Sequence, residues 1–329
     1  MNNNISSHIP WIEKYRPQSI NDLCIDFNMF NKINRIIQNK DMPNVIITGL
    51  PGIGKTSTIL CIAKALLGSH YQQGILELNA SDDRGIKAVK DSIIYFCKKK
   101  IDSIINDPAT SNHKIILLDE ADNMTRKAQQ LINTLMEKYH HTTRFALTCN
   151  DSSKIIEAIQ SRCIIFRYKS LSPSDVSKRL HFICSHENIK FSSKGIDALV
   201  KISQGDLRSA INNLQLVFNG FELVNSKNVY KLCDKPNPLI IKKIFIACFN
   251  NNIFTALSLL NNLRNNGYSS SDIIISMKNF FKFNTIDSIP YSIIIQYLSE
   301  ISKTAITISQ GIDSRLQTSG CICKLCLIR

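Results

Sequence analysis

The chain has 329 residues and a formal net charge of +14, with 44% hydrophobic and 20% charged residues. This composition excludes a disordered chain and a small disulfide-stapled domain, and the length predicts two or three domains with ample core. The excess of Lys and Arg creates a field that attracts nucleic acid or another acidic partner, although a merely Lys-rich surface carries the same charge.

The first residues, MNNNISSH, lack the hydrophobic segment of a secretory signal and are expected to form a flexible tail over residues 1–9. Short aliphatic runs then alternate with helical patterns. Val45–Thr48, Ile75–Leu78, Ile115–Leu118, Phe145–Thr148 and Ile164–Phe166 are almost wholly apolar, the pattern of strands buried on both faces. Helices between them imply β-α-β crossovers and a parallel sheet, so residues 10–167 are expected to form one α/β domain. Beyond Ser170 the strand pattern disappears. Residues 168–234 read as a small helical domain, in which Asp206 caps a helix carrying Leu207, Ile211, Leu214 and Phe218 at helical spacing. The motif KPNP marks a boundary, and residues 235–329 are again helical in pattern, broken by Asn-rich turns such as NNN at 250–252.

The stretch GLPGIGKTST at 49–58 follows a strand and opens a helix. Glycines at 49, 52 and 54 let the backbone curl so that N–H groups converge on phosphate oxygens, with the helix dipole adding its positive end. Gly49, Leu50, Pro51, Gly52, Ile53, Gly54 and Ser57 would form that cradle. Lys55 would reach the β- and γ-phosphates, and the Thr56 hydroxyl would ligate Mg²⁺. Downstream, IILLDE at 115–120 is an apolar strand ending in two carboxylates. Asp119 would hold Mg²⁺, and Glu120, one residue on, would polarise an attacking water as general base. ATP with Mg²⁺ is the cofactor pair this implies, and hydrolysis the reaction.

Two further positions fit a hydrolase. Asn150 ends a strand next to Asp119 in a parallel sheet, where an amide would orient water or sense the γ-phosphate; an ordinary strand-end turn residue reads the same way. Arg208 lies in the first turn of the Asp206 helix, where the dipole disfavours a cation, so it fits an anionic partner or a solvated surface. Cations recur at helix starts. Arg84, Lys87 and Lys90 share the outward side of a helix whose inward residues are Ile86, Val89, Ile93 and Cys97. Arg126 and Lys127 open a helix capped by Thr125. Lys and Arg at helix starts hold DNA phosphates without reading bases, and a solvated charged face is the other reading.

In order and spacing, PWIEKYRP at 10–17, the phosphate loop, ELNASDDRGI at 77–86, DEAD at 119–122, TCN at 148–150, SRC at 161–163 and GDLRSAIN at 205–212 carry a resemblance. The chain is similar to the small subunits of replication factor C, the eukaryotic clamp loader of the AAA+ ATPase superfamily. GYSSSDII at 267–274 extends the likeness more weakly. The resemblance implies an α/β AAA+ P-loop NTPase domain with a parallel sheet, a helical lid and an all-α C-terminal collar. It implies a hetero-pentamer with other replication factor C subunits that loads a sliding clamp (proliferating cell nuclear antigen) onto primer-template DNA in the nucleus, in replication and repair. Ile12 and Cys24 would line the adenine pocket with Arg16 nearby. Asn150 and Arg208 would be the two phosphate sensors, and Arg162 an arginine finger serving the neighbouring subunit's ATP.

The sequence departs from the family pattern at Ile25-Asp26, where a Gly-Asn pair is usual, and at Asn133 and Thr134, where two Arg are common. Rival readings are a nucleotide-holding structural subunit and another AAA+ machine such as a branch-migration motor. Lys55, Thr56, Asp119 and Glu120 together favour hydrolysis over the first; KYRP, SRC and the helical tail argue against the second. Eleven Cys, an odd number in apolar segments, fit reduced thiols in cytosol or nucleus. Cys321, Cys323 and Cys326 crowd the end of the chain without a usual zinc spacing or a nearby His, so thiols on an apolar final helix are expected. No apolar run approaches the ~20 residues of a membrane helix, and no membrane partner is expected.

Overall fold

A computed structural model describes residues 9–80, 85–99, 111, 113–233, 236–283, 286, 288–312 and 315–328. Strands β1 (Val45–Thr48), β2 (Ile75–Asn79), β3 (Lys114–Asp119), β4 (Thr143–Cys149) and β5 (Ile164–Arg167) form one parallel sheet in the order β2-β3-β4-β1-β5. Helices α1 (Trp11–Lys14), α2 (Phe27–Gln38), α3 (Lys55–Leu67), α4 (Tyr71–Gly74), α5 (Gly85–Lys98), α6 (Arg126–Lys138), α7 (Glu157–Gln160) and α8 (Pro173–His186) accompany it. Contacts divide the chain into two compact units, Met1–Glu187 with Ser203–Gln215, and Asn188–Ile202 with Leu216–Arg329.

Alternation along the inner strands builds two cores, one on each face of the sheet. Val45, Ile47, Ile115, Leu117 and Ala146 point to one face, where Ile33 of α2 and Ile59, Ile62 and Leu66 of α3 cover them. Their neighbours Ile46, Ile116, Leu118, Phe145 and Leu147 point to the other, under Ile93 of α5 and Ile132 and Met136 of α6. Burial on both faces explains why these strands are nearly continuous apolar runs. It holds for the three inner strands only. β2 and β5 are edges, with Glu77 and Ile164 exposed, so the expectation of burial on both faces fails there. Helix starts follow local chemistry. Thr125 caps α6 by accepting from the Ala128 N–H at 3.3 Å, and Ser172 with Pro173 opens α8.

The end of β3 opposite Asp119 carries two buried titratable residues. Lys114 is 6% exposed, and its ammonium donates to the carbonyls of Phe96, Cys97 and Lys99 at 2.7–2.8 Å. These are the orphan acceptors at the C-terminal end of α5, where a cation also meets the negative end of the dipole. His113 beside it is 5% exposed, and its Nε2 accepts the Met42 N–H at 3.4 Å.

The later helices are α9 (Ser193–Ser203), α10 (Leu207–Phe221), α11 (Ser226–Leu232), α12 (Pro238–Phe249), α13 (Ile253–Asn265), α14 (Ser270–Phe283), α15 (Tyr291–Ser309) and α16 (Arg315–Leu327). Strands persist after Ser170, against expectation: β6 (Lys190–Phe191) and β7 (Leu223–Val224) form a parallel pair. Two residues are too few to leave a period in the sequence. Helices α12 to α16 enclose one core in which Phe245 meets Phe281 at 4.5 Å and Tyr297 at 6.0 Å between ring centroids. Cys248, Cys321 and Cys326 are buried in this core, and Cys323 is half-buried on α16. No helix among the described residues is long and apolar enough to cross a membrane.

His113 generates a pH prediction. Burial, aided by the Arg144 guanidinium and opposed by Asp41, pulls its pKa from 6.5 to about 4. A base with a lowered folded pKa takes up protons on unfolding. The stability held by neutral His113 is therefore complete above pH 6.5 and is lost as the pH falls toward about 4. The loss between neutral pH and pH ~5 should be about 2 kcal/mol. Urea unfolding midpoints at the two pH values check it, and His113→Gln should flatten the difference.

Candidate active site

Parallel register brings the carboxyl ends of β3, β4 and β1 side by side, with Thr48 opposite Cys149 and Leu118 opposite Leu147. The loop after β1, the Asp119-Glu120 pair and the segment Thr148–Asn150 therefore share one edge of the sheet, the place where open α/β folds bind ligands. The loop turns into α3 through Gly52 at φ +70° and Gly54 at φ +92°, both in the left-handed region that suits glycine.

Its polar side chains hold one another. The Lys55 ammonium donates to the carbonyls of Gly49 at 2.7 Å and Leu50 at 2.8 Å, and to Asn150 Oδ1 at 2.8 Å. Burial pulls its pKa below the ordinary value, against Asp119, Asp122 and Glu120, which favour the charged form. Thr56 Oγ1 lies 3.0 Å from both carboxylate oxygens of Asp119. Thr148 donates its hydroxyl to Asp119 Oδ1 and accepts the Glu120 N–H at 3.1 Å. Glu120 sits at φ +54°, a costly conformation for a residue with a Cβ, and its carboxylate accepts from Asn123 Nδ2 at 3.1 Å. The Asn150 N–H donates to Asp122 Oδ2 at 3.3 Å.

A cleft opens over this knot. Pro51, Gly52, Ile53, Gly54, Lys55, Thr56 and Ser57 form its floor with Asp119, Glu120 and Asn150. Ile12, Leu23, Cys24 and Ile25 form an apolar wall whose rim carries Tyr15, Asp22 and Arg16, the last paired with Glu13 at 3.2 Å. Leu171, Leu207, Arg208 and Ile211 form a third side, Arg208 standing at the start of α10. Asp206 caps α10 by accepting the Ser209 N–H at 3.1 Å, and the Leu207 N–H donates to the Gly52 carbonyl at 3.2 Å.

Most of the sequence-predicted site residues thus meet in one cleft. Gly49 and Leu50 do not line it; they hold Lys55 by their carbonyls. Arg162 also lies outside it, paired with the Glu137 carboxylate and donating to the Ala158 carbonyl at 2.8 Å. Arg126 and Lys127 are exposed in the first turn of α6. Arg84 and the side chains of Lys87 and Lys90 lie outside the described residues. Thr148, Asp122 and Asp206 were not singled out as site residues from the sequence. A Thr near a strand end reads as an ordinary β-former, and a capping Asp gives no hint of a distant loop.

Comparison with known proteins names the family. The family model described as "Replication factor C C-terminal domain" matches residues 236–324, "ATPase family associated with various cellular activities (AAA)" matches 45–171, and "RCF1/5-like, AAA+ ATPase lid domain" matches 178–217. Replication factor C subunit 4 of Schizosaccharomyces pombe is 45% identical over 98% of this chain and 93% of its own length. The chain belongs to the replication factor C small-subunit family. Replication factor C subunit 4 of Saccharomyces cerevisiae is 41% identical over 99% of this chain and 98% of its own length. A replication factor C small subunit of Methanosphaera stadtmanae is 37% identical over 97% and 98%. Among solved structures, the Thermotoga maritima RuvB Holliday junction branch migration motor superposes with a TM-score of 0.54 at 15% identity, covering 70% of this chain and 79% of that one. That likeness shows a shared AAA+ fold. The replication factor C assignment rests on sequence along the whole chain.

Gly52 supplies a test of the loop. A Cβ there would lie 1.7 Å from Asp206 Oδ1, whereas a Cβ on Gly54 meets nothing within 4 Å. Gly54→Ala therefore adds backbone strain alone, roughly 1–2 kcal/mol. Gly52→Ala adds the collision, so the Asp206 carboxylate must swing away and give up the Ser209 N–H that it caps. Its unfolding midpoint should fall further than that of Gly54→Ala in thermal melts monitored by circular dichroism.

Proposed function

We propose that this chain binds MgATP in the cleft and hydrolyses it as a subunit of a clamp loader. The observation that carries the reading is the Thr56 hydroxyl set on both oxygens of Asp119, beside the Lys55 ammonium bonded to Asn150. This all-oxygen donor pair fits a hard divalent cation such as Mg²⁺. Bound there, Mg²⁺ would neutralise charge on the β- and γ-phosphates. Lys55 and Arg208 supply positive charge on opposite sides of the phosphate path. Glu120 holds the base position for an attacking water, and Asn150, bonded to Lys55, is placed to orient that water. Ile12 and Cys24 take the adenine, with Arg16 at the rim.

Family membership supports the wider roles. The chain would assemble with other replication factor C subunits into a hetero-pentamer, open a ring-shaped sliding clamp and load it onto primer-template DNA in the nucleus. Residues 10–167 would act as the ATPase domain, 168–234 as the lid and 235–329 as the collar. Arg162 would serve the ATP of a neighbouring subunit. Its pair with Glu137 is about half exposed, and such pairs contribute ~0–1 kcal/mol, so the exchange costs little. Arg126 and Lys127, with Arg84, Lys87 and Lys90, would hold DNA phosphates without reading bases.

The test is steady-state ATPase of the chain reconstituted with its partner subunits, with and without primed DNA and sliding clamp. Addition should stimulate the wild type. Glu120→Gln should lower the stimulated rate by about 10²-fold or more for this site, the usual contribution of a general base. Equal stimulation in wild type and variant would make this site a structural nucleotide holder. No stimulation with authentic partners would overturn the clamp-loader reading.

A further inference from the structure

The floor of the cleft is built on the sheet, but its apolar wall is not. Ile12 and Arg16 belong to the segment Pro10–Pro17, which is tied at four points to α8 and α10. The Trp11 N–H donates to Gln215 Oε1 at 3.1 Å. The Tyr15 carbonyl accepts from Arg179 Nη2 at 2.7 Å. The Tyr15 hydroxyl at 2.5 Å and the Lys14 ammonium at 2.6 Å both donate to Glu187 Oε1. Phe182 packs beneath, its ring edge-on to Tyr15 at 6.4 Å and under the Arg179 guanidinium at 5.0 Å.

We infer that Arg179, Glu187 and Tyr15 are positioning residues for the nucleotide base: they fix the wall that carries Ile12 and Arg16 at the distance a purine ring requires from the phosphate loop. This inference rests on the nucleotide reading above. Arg179 and Glu187 do not line the cleft, and Tyr15 lines it beside Ile12 and Arg16, so their effect falls on the base end of the ligand. Glu187 suits the task. Burial alone would raise its pKa, but the hydrogen bonds from Lys14 and Tyr15 outweigh it and hold the carboxyl below its ordinary value, as the anion that both donors need. The spacing in sequence is large, with the tethers reaching from residues 11–15 to 179, 187 and 215. A shift of α8 therefore moves the base wall directly, without passing through the sheet.

The chain contains a single Trp, Trp11, buried within this wall at 7% exposure, so its fluorescence reports the wall itself. The test uses the full chain with Mg²⁺ and two probes, ATP and inorganic tripolyphosphate, titrated on wild type, Arg179→Met, Glu187→Gln and Tyr15→Phe. Arg179→Met and Glu187→Gln should each weaken ATP binding about tenfold, the scale of one charged hydrogen bond. Tyr15→Phe keeps the ring but removes one hydrogen bond to the Glu187 carboxylate, so it should weaken binding on the same scale, about tenfold. Tripolyphosphate affinity should stay unchanged, because that ligand has no base to position. Unchanged ATP affinity in all three variants overturns the inference and leaves the nucleotide site standing. Equal weakening for both probes also overturns it, since that marks a general structural role. A wild type that binds neither probe overturns the nucleotide reading and this inference together.

Discussion

The bond between the Thr56 hydroxyl and the Asp119 carboxylate is the contact on which the site depends. It joins the first turn of α3, which follows β1 through the glycine loop, to the end of β3 across the intervening strand β4, and so requires all three strands to be parallel and in register. A slip of one residue in β3 would turn Asp119 to the opposite face and bring Leu118 toward Thr56. The two apolar cores prevent that slip. Ile116 and Leu118 fill one face and Ile115 and Leu117 the other, each against its own helices. Packing on both sides thus fixes the chemistry at the strand ends, and the polar knot closes over a frame that hydrophobic burial has already set.

The inner strands and the loop were legible in the sequence because both leave local signatures. A strand buried on both faces is an unbroken aliphatic run, and a phosphate loop needs its glycines, Lys and Thr within a few positions. Edge strands were less legible, since β2 and β5 carry similar apolar runs although Glu77, Asn79, Ile164 and Arg167 are exposed. The short pair β6 and β7 left no signature at all. Contacts between distant residues were also hidden. Nothing in GDLR says that Asp206 abuts Gly52, and nothing near Arg162 names Glu137 as its partner. The family resemblance supplied roles for such residues; the structure supplies their neighbours.

Glu137 links two of those neighbours. Its Oε1 accepts from Asn133 Nδ2 at 3.3 Å as well as from Arg162. Asn133 thus adds a neutral amide to the carboxylate that holds Arg162. Asn133 and Glu137 on α6 and Arg162, two residues past α7, form one cluster.

Lys114 gives the fold a mechanical property. Its buried ammonium gathers the last carbonyls of α5 and bolts that end of the helix to the start of β3. With 14 residues, α5 is about 20 Å long. The same half of the helix carries Ile93, Phe96 and Cys97, all buried in the core beneath the sheet. That end of α5 is therefore clamped twice, by apolar burial and by a buried charge that fixes where along its axis the helix stops.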